Sequence, residues 1–325
     1  MTSNISLLHG AGGSESRDLI RDVFLTHLSA RHGPEEDAAI IANGTLAISI
    51  DGFVVDPPDF PGGDIGKLAV CGTVNDLAVR GAEPRWMAVS WIIPEGMPVE
   101  NLARYSASLA TTAHEANIAV VTGDTKVVPS ADLRGPVITT CGVGEVKKLS
   151  TIDAVTAGDV LIVSGRVAEH TTALLAAREG LLVDDLPPSD CALMHHLTAA
   201  AFTAGAHFAR DMTRGGLAAV LWEIADACHT GLRVERGSIP VHPAVAELCS
   251  VVGLDPLYLA NEGCVLIAAR PDRVDDVLAA IRKEPTGVHA SVIGQVLDSR
   301  KGVDILTDGK LLPLQANAVG LPRLC

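Results

Sequence analysis

Aspartates beside glycine or at the end of an apolar segment recur along this 325-residue chain. Five of them are Asp51 in SIDGF, Asp64 in GGDIGK, Asp76 in VNDLA, Asp124 in TGDTK and Asp211 in RDMTRGG. Carboxylates that converge on one point repel one another unless a cation neutralises them, and Mg²⁺ commonly bridges a few carboxylates to substrate phosphates. The set therefore indicates a nucleotide site with a divalent metal, although an Asp–Gly pair alone is also typical of an ordinary turn.

A glycine-rich segment near the N-terminus is a candidate phosphate cradle. The chain contains neither a Walker A sequence nor GxGxxG, so a different loop would have to hold a nucleotide. LLHGAGGSES (7–16) offers Gly12 and Gly13 in a loop, followed by serines that can cap a helix predicted over 17–30. A flexible N-terminal arm is the alternative interpretation of the same residues.

Two further residues have side chains suited to ATP-dependent chemistry. Lys126 follows Asp124 at the end of a predicted strand, where an ammonium group could offset charge on a transferring phosphate. Glu262, in YLANEGC, precedes an apolar strand and would have a raised pKa if partly buried, as suits a general base. Taken alone, Lys126 is more typical of a solvated lysine, and Glu262 is more typical of a loop carboxylate.

The sequence ends in GLPRLC, with a thiol at Cys325. From Leu312 onward Arg323 is the one charged side chain, and this segment could extend about 45–50 Å as a mobile tail. A free thiol has a pKa of about 8.5, which the neighbouring terminal carboxylate would raise and Arg323 would offset. The cysteine is either part of a frayed end or a reactive group.

Composition excludes several classes of function. The net charge is −14, from 25 basic and 39 acidic residues, which disfavours binding to nucleic acid or an anionic membrane through a basic surface. The seven cysteines are odd in number, widely spaced and without CxxC, so a structural zinc site or a disulfide framework is not expected. No signal peptide or membrane-spanning run is evident, and we expect a cytoplasmic protein.

Strand and helix patterns alternate throughout, which predicts two mixed α/β domains with a boundary near 150. We expect an N-terminal domain over 1–150, a C-terminal domain over 151–311 and a mobile tail over 312–325. Strands are predicted at 45–55, 85–94, 119–128, 136–146, 157–165, 264–271 and 291–297. Helices are predicted at 64–82, 98–118, 169–178, 190–206, 272–283 and within 211–228.

These segments together resemble the hydrogenase-maturation carbamoyl dehydratases, within the aminoimidazole ribonucleotide synthetase and selenophosphate synthetase superfamily. The matching pieces run from residue 7 to residue 325: LLHGAGGSES, SIDGFVVDPPDFPGGDIGKLAVCGTVNDLAVRGAEP, TGDTKVV, REGL, RDMTRGGLAAVLWEIA, YLANEG and PRLC. The long second segment, TRGGLA and the terminal PRxC are the specific ones. TGDT alone would indicate only the superfamily.

The resemblance implies an enzyme with two α/β domains, an N-terminal sheet that pairs across a homodimer, and bound ATP and Mg²⁺. A partner carbamoyltransferase would load Cys325, and the enzyme would dehydrate the resulting S-carboxamide to a thiocyanate. The cyano group would pass to iron on a scaffold complex and become a ligand of the [NiFe] hydrogenase centre. By motif, Asp51, Asp64, Asp76 and Asp211 match family acids around metal and phosphate, and Lys126 and Glu262 match residues that activate the carboxamide.

One segment departs from the family pattern, and two other functions stay open. The family has a glycine-rich turn after SG, whereas this chain reads SGRVAEHTTALL (164–175). His170 is kept, but no glycine follows SG in this segment. A different superfamily enzyme that phosphorylates a small-molecule carbonyl oxygen would leave the tail without a role. A non-enzymatic carrier would use Cys325 as a docking or metal-delivery thiol, which the acids argue against.

Overall fold

The computed structural model describes residues 4–10, 14–28, 36–130, 133–298 and 302–316. Strands of the N-terminal half are β1 (Ala39–Ile41), β2 (Leu46–Phe53), β3 (Asp59–Phe60), β4 (Gly63–Asp64), β5 (Ala82–Pro94), β6 (Ala119–Val128) and β7 (Val137–Val146). Its α-helices are α1 (Ser14–Leu19), α2 (Ile65–Val79) and α3 (Val99–Glu115).

The C-terminal half contributes a second set of elements. Its strands are β8 (Val160–Val163), β9 (Phe208–Asp211), β10 (Gly231–Glu235), β11 (Val265–Ala269), β12 (Ser291–Leu297), β13 (Gly302–Thr307) and β14 (Lys310–Pro313). Its helices are α4 (Glu169–Glu179), α5 (His195–Ala204), α6 (Gly216–Ala227), α7 (Pro243–Val252) and α8 (Val274–Ile281).

Each half is built on its own mixed sheet, as predicted. The N-terminal sheet has the order β1-β2-β7-β5-β6, and the C-terminal sheet has the order β14-β13-β10-β12-β8-β11-β9. In the first sheet only β5 and β6 are parallel among the described pairs, because α3 provides the crossover that parallel neighbours need. The predicted two-domain α/β architecture is confirmed by this arrangement.

Helix α2 lies at the centre of the molecule and connects the two cores. Nearly all of its residues are buried, as expected for a helix that is apolar on every side. Its N-terminal part packs in a cluster with α3 and with Leu174 and Leu175 of α4, while Val79 packs with α5 and α8. The two domains therefore share buried surface along one helix.

The C-terminal sheet extends further along the chain than the sequence suggests. Strand β14 pairs with β13 around a turn in which Asp308 and Gly309 both have positive φ. Leu314 is buried, and its N–H donates to the carbonyl of Val303 at 2.8 Å. The ordered domain thus continues past the expected boundary at 311, and the Tyr258 hydroxyl donates to the carbonyl of Gln315 at 2.9 Å.

The helix predicted at 190–206 begins only at His195. The residues before it form no regular secondary structure and make hydrogen bonds to other parts of the fold. Strands β9, β10, β13 and β14 and helix α7 were not predicted. No helix among the described residues is long and apolar enough to cross a membrane.

Candidate active site

A cavity of about 700 Å³ lies between the two domains. Asp51 and Asp76 line it from the N-terminal domain, and Asp211 and Glu262 line it from the C-terminal domain. Residues separated by more than two hundred positions in the sequence thus meet at one concave surface. The structure brings together four of the acids that the sequence singled out.

Three carboxylates form the tightest group in this cavity. Oxygen atoms of Asp37, Asp76 and Asp211 all lie within 4.8 Å of one another. Asp37 precedes β1, Asp76 is on α2, and Asp211 is the last residue of β9. The cluster therefore depends on the contact between the two domains and cannot form in either one alone.

Burial and mutual repulsion make the ionised form of these acids unfavourable. The pKa of Asp76 lies well above its usual range because the carboxyl is buried and faces Asp211 and Asp37. The pKa of Asp211 is raised in the same way, by burial and then by Asp37. Nearby positive charge from a metal ion would relieve this repulsion.

Specific contacts orient two of the three acids. The Ser49 hydroxyl on β2 donates a hydrogen bond to Oδ2 of Asp76. The guanidinium of Arg210, on β9, lies 3.1 Å from Asp37 and 3.0 Å from Glu223. Arg210 and Asp37 form an ion pair, and both side chains are largely buried. Because they belong to different domains, this pair joins the two domains beside the cluster.

The donor set suits a divalent cation of the Mg²⁺ type. Oδ2 of Asp37 is buried and has no hydrogen-bond partner among the described residues, although Oδ1 is paired with Arg210. Oxygen ligands from a few carboxylates are what Mg²⁺ prefers, with phosphates and waters completing its shell. The residues present therefore fit the metal that the sequence resemblance implied.

Glu262 lies in the same cavity, in a different electrostatic setting. Its pKa is well above its usual range because the carboxyl is buried and faces the Cys191 thiol and Asp211. A raised pKa brings a carboxyl closer to the operating range of a general base. The position is consistent with the role expected of Glu262.

Asp64 is not part of the cavity. It is the N-cap of α2, and its Oδ1 accepts a hydrogen bond from the backbone N–H of Lys67 at 3.0 Å. A carboxylate at this position compensates unpaired amides at the helix start. Asp64 in GGDIGK thus caps helix α2 and lies away from the cluster that contains Asp76 and Asp211.

Asp124 and Lys126 lie outside the acid cavity as well. Both are on β6, and their side chains form an exposed ion pair with Nζ and Oδ2 2.6 Å apart. Asp124 lines a second, smaller cavity of about 340 Å³ beside Trp91 and Leu109. Within one chain, Lys126 and Glu262 therefore do not share a site.

Three predicted site residues lie outside the described part of the chain: Gly12, Gly13 and Cys325. Arg323 also lies outside it. Close to the predicted glycine loop, His9 and Arg17 line the acid cavity. The N-terminal segment therefore does contribute to the cavity wall.

Sequence reasoning missed Asp37, Arg17 and Arg214, all of which line the cavity. Asp37 follows a run of acids in GPEEDAAI, which is typical of a solvated turn. The signal that could have identified it is its place just before an apolar strand, like the place of Asp211 at a strand end. The arginines would add positive charge near bound phosphates.

The altered segment 164–175 contains a left-handed backbone conformation at an alanine. Ala168 adopts a left-handed conformation with φ 73°, and its N–H donates to Oδ1 of Asn261 at 2.7 Å. Its methyl group is buried against Val245 and Leu259, which offsets the cost of that backbone conformation. Burial lowers the pKa of His170 to about 3, so this histidine is neutral inside the fold.

The fold and the interdomain acid site together define an AIR synthase related protein. Residues 35–146 match the AIR synthase related protein N-terminal domain family, and residues 156–306 match the corresponding C-terminal domain family. A thiamine monophosphate kinase from Aquifex aeolicus shares the fold at 18% identity and a TM-score of 0.67 over 90% of this chain and 97% of its own.

Closer relatives narrow this class, and the chain belongs to the carbamoyl dehydratase HypE family. It is 44% identical to carbamoyl dehydratase HypE of Rhodobacter capsulatus over 92% of this chain and 90% of the relative. It is 41% identical to the HypE of Escherichia coli over 99% and 100% of the two chains. A HypE structure in complex with ATP has a TM-score of 0.84 at 39% identity, covering 99% of this chain and 100% of its own.

Proposed function

We propose that this protein is a carbamoyl dehydratase of hydrogenase maturation, which uses ATP to convert an S-carboxamide on Cys325 into a thiocyanate. The cyano group would supply the cyanide ligand of the [NiFe] hydrogenase iron centre. The observation that carries the proposal is the meeting of Glu262 with the Asp37, Asp76 and Asp211 cluster in one interdomain cavity. The similarity to HypE proteins along nearly the whole chain supports it.

The reaction has to turn the carboxamide oxygen into a leaving group. The carbonyl oxygen attacks the γ-phosphorus of ATP, ADP leaves, and the oxygen becomes part of a phosphate ester. Glu262 accepts one proton from the nitrogen, which leaves an imidoyl phosphate, and releases that proton to solvent. It then accepts the second nitrogen proton as the C–O bond breaks with loss of phosphate, and S–C≡N remains. The oxygen and the two protons removed correspond to one water.

The acids and arginines of the cavity would bind the nucleotide. Asp37, Asp76 and Asp211 would hold Mg²⁺, with Asp51 close by, and Arg17 and Arg214 would contact phosphate oxygens. When bound, the metal supplies positive charge to the transferring phosphoryl group. Asp64 fixes the start of the helix that carries Asp76, and its contact with metal or phosphate stays a prediction.

A homodimer would give Asp124 and Lys126 a part in the reaction. Strand β6 is the edge of its sheet, and its residues from Ala119 to Val127 are exposed. A long unpaired edge with exposed apolar residues invites pairing with another strand. We propose that a second copy pairs here, and that Lys126 of one copy serves the cavity of the other.

Two further partners follow from the family. A carbamoyltransferase would load Cys325. A solved HypE–HypF complex, with 38% identity to this chain, supports the binding of a partner protein. An iron-binding scaffold would accept the cyano group. An apolar segment after Leu314 with few charges would enter a pocket or a partner's site at low desolvation cost.

The experiment that tests the site is a single-turnover assay on protein already loaded at Cys325 by the carbamoyltransferase and its carbamoyl donor. Replacing Glu262 by Gln keeps the shape but removes the base, so phosphate release after ATP addition should slow by about 10²–10⁴-fold. The exposed Glu247 provides a matched control. Full activity in Glu262→Gln would exclude this residue as the base.

A further inference from the structure

The turn Asn261–Gly263, which carries Glu262, is held by a carboxylate of another segment. Oδ1 of Asp190 accepts the backbone N–H of Glu262 at 3.1 Å, and its Oδ2 accepts the backbone N–H of Gly263 at 3.1 Å. A carboxylate that bridges two successive amides fixes both the position and the tilt of the peptide between them. Asp190 is not among the residues that line the cavity.

The turn and the segment around Asp190 are packed without intervening space. A Cβ atom on Gly263 would lie 1.8 Å from the carbonyl oxygen of Asp190. On the other side of the turn, the N–H of Ala192 donates to the carbonyl of Glu262 at 3.3 Å. The backbone of Glu262 is therefore held through both its amide and its carbonyl.

This supporting segment, residues 188–194, is itself attached to α2 in the N-terminal domain. Nδ2 of Asn75 donates to the carbonyls of Ala192 and Glu262, at 3.0 and 3.3 Å. Oδ1 of the same side chain accepts the N–H of Met194 at 2.7 Å. Because Asn75 precedes Asp76, one helix supports the metal-binding acid and the turn that carries the base.

Ser189 fixes the other end of the supporting segment. Its N–H donates to the carbonyl of Pro61 at 2.8 Å, and its hydroxyl lies 2.7 Å from Nδ1 of the buried His170. The hydroxyl oxygen also accepts the N–H of Cys191 at 3.0 Å. The conformation around Asp190 is thus fixed by contacts with both domains.

We propose that Asp190 is a positioning residue that orients the Glu262 carboxyl toward the reacting carboxamide by holding the Asn261–Gly263 turn against the N-terminal domain. The inference rests on the proposed function, in which Glu262 is the base. A displacement of about 1 Å at such a group can lower a rate by up to about 10²-fold. Asp190 also places a negative charge near Glu262, so its removal has an electrostatic consequence besides a geometric one.

The charges around Glu262 determine the sign of that consequence. Its carboxyl faces Cys191 and Asp190 from the supporting segment, Asp211 from β9 and Asp51 from β2. Each of them favours the protonated form of Glu262. Removing the Asp190 charge should therefore lower the pKa of Glu262 and move the acidic limb of the pH–rate profile to lower pH.

The test compares Asp190→Asn, Ser189→Ala, Glu262→Gln and the exposed control Asp184→Asn in the loaded full chain, with single-turnover rates at saturating ATP across pH. Asparagine can accept only one of the two amide protons. We expect Asp190→Asn to be about tenfold slower, with the KM for ATP within about twofold of wild type and the acidic limb at lower pH. Ser189→Ala should slow the reaction without moving the limb, because the Asp190 charge remains.

The outcomes separate this inference from the proposed function. A wild-type rate and limb in Asp190→Asn, alongside a strong loss in Glu262→Gln, would overturn the positioning role and leave the base assignment intact. A wild-type rate in Glu262→Gln would overturn the base assignment itself. If thermal unfolding shows that Asp190→Asn does not fold, Ser189→Ala decides, and an unchanged rate in that variant counts against the inference.

Discussion

At the scale of single residues, Asp76 is an acid whose burial opposes its ionisation. Its carboxyl has a pKa well above the ordinary value of 3.8 because it is buried beside Asp211 and Asp37, and only the Ser49 hydroxyl favours the charged form. The folded state therefore retains a proton that the unfolded state has lost once the pH exceeds about 4. The free energy of unfolding of the metal-free protein falls as pH rises from there to the folded pKa.

Replacing Asp76 by Asn should remove this penalty. At neutral pH and without metal, we expect the free energy of unfolding to rise by more than the ~0.5 kcal/mol typical of ordinary surface substitutions, because a buried amide needs no proton to stay neutral. The stabilisation that Mg²⁺ and ATP give to the wild type should disappear in the same variant. Urea unfolding at several pH values, with and without Mg·ATP, measures both effects.

The control for this prediction is Asp184→Asn, which makes the same chemical change, carboxylate to amide, at an exposed position. Its stability should stay within about 0.5 kcal/mol of wild type, and its response to Mg·ATP should be unchanged. A metal-free Asp76→Asn protein that is less stable than wild type would contradict the account of the acid cluster.

Several residues of the site could be identified from the sequence, and others could not. Asp51 and Glu262 lie next to glycines, and Asp211 ends β9. These three and Asp76, which follows an apolar segment and lies within α2, line one cavity. Asp37 is a member of the same acid cluster, but its acidic neighbours in the sequence are typical of a solvated turn. A local pattern describes the backbone around one acid and contains no information about which distant acid it meets.

At the scale of elements, α2 is the helix on which the site depends. It carries Asp76 and Asn75, begins at the Asp64 cap, and packs closely against α3. A Cβ atom on Gly66 would lie 2.1 Å from the carbonyl oxygen of Tyr105. The two helices can approach this closely only because Gly66 has no side chain.

Substituting Gly66 by Ala should push α2 away from α3. Overpacking of this kind costs about 1–3 kcal/mol, and the shift should also weaken Mg·ATP binding through Asp76. Gly237→Ala is the matched control, since nothing lies within 4 Å of its Cβ position. Denaturant unfolding and ATP titration of both variants test the prediction, and equal stability of the two would refute it.

Element types followed from sequence periodicity where a segment was long, as for α2, α3, β5 and β6. The start of α5 could not be predicted from periodicity. Residues 190–194 make long-range hydrogen bonds to Asn75 and to the turn that carries Glu262, in place of the local hydrogen bonds of a helix. Short buried strands such as β9 also escaped prediction. Their apolar residues satisfy helix and strand patterns equally well, and only their neighbours in the sheet decide.

At the scale of the whole molecule, the two domains supply complementary parts of one site. The cluster contains acids from both, and the buried Arg210 joins them through its pair with Asp37. Lys126 is separated from this cavity within one chain and lies on the exposed edge strand β6. A second copy paired along β6 would bring another Lys126 to the assembly.

Mixing two inactive variants tests whether Lys126 acts across that dimer. If it does, Lys126→Ala and Glu262→Gln proteins, dissociated and reassociated together, should recover about a quarter of wild-type activity. Half of randomly paired dimers are mixed, and each mixed dimer then has one complete site. No recovery, with mixed dimers shown to form, would mean that both residues act within one chain or that Lys126 acts elsewhere.

In the proposed reaction, Cys325 carries the group that is dehydrated in the cavity. The mass of the C-terminal peptide tests this, after the full chain has been treated with the carbamoyltransferase and carbamoyl donor, and then with Mg·ATP. We expect a carbamoyl adduct on Cys325 that loses the mass of one water after ATP addition, in wild type but not in Glu262→Gln. An adduct on Cys325 that keeps its full mass while ATP is consumed would contradict it.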